Sequence, residues 1–270
     1  MFQTFAATDV HIVLPTEAIF YVGSFPVTNA LMLGALGIAL MLAVLIYAAR
    51  RVKSGKHNFL TGLVSWSIEG LYSQVHSIIP DRKTARSIAP LALTIFFTVL
   101  FTYWISIIPG VNSIMVGESP LLRGLPTDLN FTFAIAIISI VAAQIYAIKA
   151  HGFFGNIGRY VVNPLRNPIG AFEGLLEIVG EFSRMIALSL RLFGNAFAGE
   201  VLLVIIAMLS GYFASLSLPF FMAFELFIGF IQAYVFFMLT LIFTALATIS
   251  HHSSDESHAS AQPKAVKSEI

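Results

Sequence analysis

The chain has no cysteine among its 270 residues, which excludes disulfides and thiolate metal sites. Charge is scarce: 15 basic and 14 acidic residues make up 11% of the chain, against about 25% in soluble domains. A net charge of +1 excludes an electrostatic nucleic-acid binder. No G-x-x-x-x-G-K-[ST] phosphate loop is present, so ATP chemistry belongs to partners and no cofactor is expected on this chain. The first ~25 residues carry no basic stretch and include Asp9 and Glu17, so a cleaved signal peptide is not expected. No internal repeat of the kind that marks many transporters is visible.

Apolar residues dominate instead, at 57% of the chain, with mean hydropathy +0.86. This is an integral membrane protein. Its apolar segments run nearly end to end, so residues 1–250 read as one membrane domain. The polar, Ser- and His-rich residues 251–270 read as a disordered cytoplasmic tail. His251 and His252, adjacent in such a tail, read as solvated rather than as a metal site, and no metal is expected.

A bilayer core needs about 20 apolar residues per helix. Thr28 to Ala49 fits and ends at Arg50, Arg51 and Lys53. Ile88 to Ile108 fits and stops at Pro109-Gly110, and Leu129 to Ile148 fits and stops at Lys149. Two longer stretches follow, Pro168 to Leu209 and Leu216 to Ser250. Each is nearly twice the length of an upright crossing, so steep tilt is expected. Asn58 to Ile79 carries Glu69, Gln74 and His76 among apolar residues and reads as an interfacial amphipathic helix. The fold class is thus an all-α membrane protein. It has about five transmembrane helices and one interfacial helix, the last two long, tilted and paired as a hairpin through Gly211 to Pro219.

With the N-terminus outside, twelve of the fifteen basic residues fall inside: Arg50, Arg51, Lys53, Lys56, Arg82, Lys83, Arg86, Lys149, Arg159, Arg166, Lys264 and Lys267. Arg123 alone lies outside, and Arg184 and Arg191 lie within a helix. Five crossings, N-terminus out and C-terminus in, satisfy the positive-inside rule.

Arg191 is the most informative residue. It lies in an apolar run with no other basic residue within six positions. A guanidinium at membrane depth is costly, and it keeps its proton at any physiological pH. On the same helix, Glu173, Glu177, Arg184, Arg191 and Asn195 fall within about 40° of one line, with Glu181 at the edge of that stripe. Glu200 points to the opposite side. Glu177 is about 21 Å from Arg191 along the axis in one direction and Glu200 about 14 Å in the other. Glu225 and Gln232, seven apart, share a face of the last helix and approach Glu200 and Asn195 if the two helices form a hairpin. The layout is two separated polar paths with Arg191 between them.

Other readings fit parts of this. Glu173, Glu177, Glu181 and Arg184 suit ordinary i,i+3 and i,i+4 charge pairs at an interfacial helix start. Asn195 and Gln232 suit hydrogen-bonded helix contacts. Membrane carboxylates such as Glu200 and Glu225 more often mark ion or proton paths. A permanent Arg191–Glu200 salt bridge is opposed by their facing.

The run from Ser189 to Glu200, Ser-Leu-Arg-Leu-Phe-Gly-Asn-Ala-Phe-Ala-Gly-Glu, resembles the signature of subunit a of F-type ATP synthases. Ile231-Gln232-Ala233-Tyr234-Val235-Phe236 resembles that family's last-helix motif. Ile88 to Phe96 and Pro126-Thr127-Asp128-Leu129-Asn130 resemble its earlier segments. The likeness covers all but the C-terminal tail. It implies a proton-translocating stator subunit of the membrane sector (CF(0)), with the c-subunit ring, the b-subunit peripheral stalk and the remainder of the F1Fo complex as partners, in contact with membrane lipid. It implies that Arg191 is the essential arginine facing the ring. It implies an outer proton path through Asn195, Glu200, Glu225 and Gln232, with Asp128 and Asn130 at its entrance, and a cytoplasmic path through Glu177. Many members place a histidine at one of the positions matching Glu200 and Glu225; here both are Glu. Two close carboxylates disfavour double ionisation, so this pair is expected to hold a proton.

The expected function is coupling of proton flow to rotation and ATP synthesis, as a subunit without its own nucleotide site. The expected place is a bacterial inner membrane, with a mitochondrial inner membrane as the alternative. A sodium-translocating version of the subunit, a free-standing channel or transporter, and a structural anchor are the rival readings.

Overall fold

The computed structural model describes residues 18–79, 81–111, 115–116, 119–153 and 168–248. Asp9, Glu17, Arg159, Arg166, Lys264, Lys267, the His251–His252 pair and the expected tail lie outside these residues.

Each apolar run becomes a helix whose ends are set by local chemistry. Helix α1, Asn29–Lys53, starts where the Thr28 hydroxyl accepts the Leu31 N–H at 3.2 Å, satisfying one of the orphan donors of a first turn. Helix α2, Phe59–Ile78, starts where the Asn58 N–H donates to Thr61 Oγ1 at 2.7 Å. Helix α3, Arg82–Ser106, is capped by the Asp81 carboxylate, which accepts from Thr84 N at 2.9 Å. Pro90 sits inside it, and Thr94 Oγ1 donates to the Pro90 carbonyl at 2.7 Å. Helix α4, Leu129–His151, is capped by Asp128 and ends at Gly152, whose φ of 75° suits glycine. Helix α5, Pro168–Ser210, has 43 residues and α6, Ala214–Thr248, has 35. At ~1.5 Å per residue these run to about 65 and 50 Å, against a ~30 Å hydrocarbon core.

The turn between α5 and α6 is tighter than the sequence suggests. It takes only a 3-10 turn, Gly211–Phe213, with Gly211 at φ 47°, where a side chain would be strained. Helix α6 then runs through Pro219. Ser217 Oγ donates to Ser210 Oγ at 2.8 Å across the turn. The two long helices therefore pair as a hairpin. Among the described residues, α1, α3, α4 and the stretch Ile169–Thr248 are long and apolar enough to cross a membrane; α2 is not one of these.

Two short antiparallel hairpins were not expected. Strand β1, Ala18–Val22, pairs with β2, Phe25–Thr28, and β3, Met115–Val116, with β4, Ser119–Pro120. Such short strands carry no alternation long enough to read in a sequence this apolar.

The core lies where α3, α4, α5 and α6 meet. Tyr103, Phe236, Phe237, Leu188 and Leu192 are fully buried there. Phe96 meets Phe97, Phe230 and Phe237 edge-on, with centroids 5.2, 6.0 and 6.3 Å apart, the geometry ring quadrupoles favour. Lipid is as apolar as leucine, so association rests on close packing and hydrogen bonds. Both are present: Ser139 and Thr240 hydroxyls join α4 to α6 at 2.7 Å, and Thr132 and Ser189 join α4 to α5 at 3.0 Å. Outward-facing Leu36, Leu40, Ile138 and Phe227 stay exposed, as lipid contact requires.

Candidate functional site

Helix α5 presents two unlike faces. Leu188, Leu192, Ala196 and Gly199 recur at helical spacing and are buried. Ala187, Arg191, Gly194 and Ala198 form the other stripe and are exposed. Arg191 therefore stands among small residues on a surface the rest of the chain does not cover. No described residue pairs with it, so a salt bridge to Glu200 does not form.

Glu200 instead faces Arg123. Arg123 Nε lies 3.8 Å from Glu200 Oε2, with side-chain exposures of 6% and 26%. The sequence placed Arg123 in an outside loop with no role; the structure corrects this. A guanidinium so buried needs a counterion. The loop holding Arg123 is itself tied down. The Arg123 N–H donates to the Asn29 carbonyl at 3.4 Å, and Asn29 Nδ2 donates to the Pro120 carbonyl at 3.2 Å. A Cβ on Gly124 would lie 2.8 Å from Ser106 Cβ, so glycine lets the loop close on the end of α3.

Glu225 is 4% exposed, on the inner face of α6. Tyr103 Oη of α3 donates to its Oε1 at 2.6 Å. The Tyr103 ring lies over Gly229, one turn along α6, where an added Cβ would be 2.5 Å from Tyr103 Cδ1. A Cβ on Gly199 of α5 would overlap the Glu225 carboxyl group itself. Two glycines thus make the space in which the acid and its phenol partner sit.

Glu200 and Glu225 line one cavity of about 260 Å³, together with Tyr103, Ser106, Gly124 and Thr127. Most of its lining is apolar, but its size leaves room for water beside the polar groups of Tyr103, Glu200 and Glu225. The cavity lies near the α5–α6 turn, at the end of α3 that carries Pro109-Gly110.

The remaining residues singled out in the sequence fall elsewhere. Gln232 shares the buried face of α6, and its Oε1 is a buried acceptor with no hydrogen-bond partner among the described residues. Such a group costs about 1–3 kcal/mol unless water or a neighbouring chain satisfies it. Asn195 is half-buried. Asp128 caps α4 by accepting the Asn130 N–H at 2.9 Å, and Asn130 is exposed; neither lines the cavity. Toward the other end of α5, Glu173 is exposed and Glu177 half-buried. Glu181 accepts a hydrogen bond from Gln144 of α4. The Arg184 guanidinium lies 5.4 Å from the Phe243 ring centroid, a cation–π contact. No group of three or more potential metal ligands occurs among the described residues.

Sequence reasoning missed Tyr103 and Arg123. Tyr103 had no polar neighbour in sequence to mark it. Arg123 did leave a signal, as the one basic residue on its side of the membrane, and a lone cation next to a membrane carboxylate invites pairing.

The profile of the family described as ATP synthase A chain matches residues 31–245. ATP synthase subunit a of Psychrobacter arcticus is 31% identical over 242 residues, covering 82% of this chain and 83% of that protein. The Mycobacterium ulcerans protein of the same name is 29% identical over 224 residues, covering 82% and 86%. That of Psychromonas ingrahamii is 32% identical over 203 residues, covering 70% and 74%. Matched by the family profile and by such relatives across most of its length, the chain belongs to the ATP synthase subunit a family.

Proposed function

We propose that the chain carries protons through two half-paths that meet at Arg191, turning a ring of c subunits. The family makes it a stator subunit of the membrane sector, taking part in ion translocation. The observation that carries the finer reading is the opposition on α5: Glu200 opens with Glu225 onto one cavity, while Arg191 faces away on a stripe of small residues. Small residues allow a neighbouring helix to approach closely.

On this reading the cavity is the outer half-path and Glu173, Glu177 and Glu181 lead to the cytoplasmic side. Gln232 and Asn195 lie between the cavity and the ring. Asp128 and Asn130 stand near the entrance as cap and first-turn residue of α4. A ring carboxylate ~4 Å from Arg191 would be attracted by about 4 kcal/mol at an effective dielectric of ~20. That attraction drives the carboxylate to give up its proton and stops a protonated site slipping past. The site reloads from the other path after nearly a full turn. Each charge moved gains about 2.3 kcal/mol per 100 mV. The peripheral stalk of b subunits would hold the chain still against the torque.

The test is ATP-driven proton uptake by inverted vesicles carrying Arg191→Ala, without added sodium, with passive leak measured in parallel. Loss of uptake with the complex assembled, and a raised leak, is the expected result. Arg191→Lys should also fall at least about tenfold, because an ammonium lacks the planar fork and can lose its proton. Normal uptake by Arg191→Ala would overturn the reading.

A further inference from the structure

The two carboxylates on the cavity have unlike partners, and this separates their roles. Glu200 faces the Arg123 guanidinium at 3.8 Å. Among the described residues Glu225 faces no cation; its carboxylate accepts from the Tyr103 hydroxyl and packs on the bare backbone of Gly199. Arg123 is 5% exposed and cannot shed its charge. A buried cation of that kind favours a carboxylate held opposite it as an ion pair.

We propose that Arg123 is a positioning residue that holds Glu200 as a fixed ion pair, leaving Glu225, oriented by Tyr103, as the carboxylate that passes protons on from the cavity. The proposal rests on the reading of the cavity as the outer half-path. In each cycle Glu225 accepts one proton from the cavity side and releases one toward the ring. Glu200 keeps its charge throughout and neutralises Arg123. The mooring of the Arg123 loop to Asn29, at the start of α1, fits a fixed element rather than a moving one. The arrangement also accounts for two acids on one cavity: one is matched by a cation, and the other is left to take up a proton.

An ion pair and a proton carrier respond differently to paired substitution. Glu200→Gln and Arg123→Gln should each lower ATP-driven proton uptake by about fivefold or more, because each strands a buried charge. The double variant Arg123→Gln with Glu200→Gln should return to within about threefold of the unaltered chain, since neither charge remains. Arg123→Lys should retain most uptake. Glu225→Gln should lose at least about tenfold and gain nothing from Arg123→Gln. The charge-swapped pair, Arg123→Glu with Glu200→Arg, offers a second version of the rescue should the neutral pair not assemble. If Glu225→Gln is inactive but neither paired variant recovers over Glu200→Gln alone, Glu200 itself carries protons and the division of roles is overturned. If Glu225→Gln pumps normally, the cavity is not the outer path, and the broader reading fails with it.

Discussion

At the scale of single residues, the site depends as much on missing atoms as on functional groups. Gly199 and Gly229 add no chemistry, yet they make space for the Glu225 carboxyl group and the Tyr103 ring. Their contacts are with a carboxyl group and an aromatic ring whose hydrogen bond is already formed. Neither neighbour can retreat without breaking that bond. Gly199→Val and Gly229→Val should therefore lower ATP-driven proton uptake severely, with packing costs of about 1–3 kcal/mol. Gly194→Ala, on the open face, meets nothing of this chain within 4 Å and should leave the packing of its own helices unchanged. Western quantification of assembled complex beside the uptake assay separates the two effects; equal uptake in Gly199→Val and the unaltered chain would show that Glu225 sits elsewhere.

The chemistry of the residues was legible unevenly. Arg191, Glu200, Glu225 and Gln232 stood out because polar groups in apolar runs are costly and therefore meaningful. Tyr103 is amphipathic and unremarkable in an apolar helix. Its role exists only because α3 and α6 meet, at a separation of 122 residues. The Arg123–Glu200 pair is hidden for the same reason. Asp128 carried a signal that points two ways: a carboxylate before a helix is a cap, whether or not it also lines an entrance.

At the scale of elements, length and capping set the helices. Boundaries from apolar runs agree with α1, α3, α4 and α5 to within a few residues at most ends. The larger difference is at α3, which begins six residues before Ile88, because Asp81 caps an amphipathic first turn that hydropathy alone does not see. That cap makes a pH-dependent prediction. The Thr84 hydroxyl, then the Thr84 and Lys83 backbone N–H groups, hold the Asp81 carboxyl below its ordinary value of 3.8. The unfolded chain lacks those bonds. The stabilisation is thus fully present above pH 3.8 and is lost as pH falls through the lower folded value. Amide-exchange protection of residues 83–85 in the detergent-solubilised chain should drop below that pH. Asp81→Asn, which still caps but does not titrate, should flatten the dependence; an unchanged drop in that variant would assign it to another group.

At the scale of the whole molecule, the described residues form five long helices and one shorter one, wound so that the α5–α6 hairpin is covered on one side by α3 and α4 and open on the other. The open side carries Arg191. The basic residues predict which ends of the helices face the cytoplasm, and this can be measured directly. The absence of cysteine means that no native thiol has to be removed first. Ser24→Cys, exposed between β1 and β2, should react with an impermeant maleimide only from outside. Lys56→Cys, exposed after α1, should react only from the cytoplasmic side of inverted vesicles. The reverse pattern would invert the assignment of the cavity to the outer face.

The Trp104 indole, half exposed, donates from Nε1 to the Leu226 carbonyl at 3.0 Å, one residue past Glu225. The chain has one other tryptophan, Trp66, which is 74% exposed on α2. Replacing Trp66 with Phe would leave a lone tryptophan clasping the backbone beside Glu225. The emission of Trp104 would then act as an optical gauge of the α3–α6 seam, reading from inside the assembled complex whether that seam stays shut or breathes.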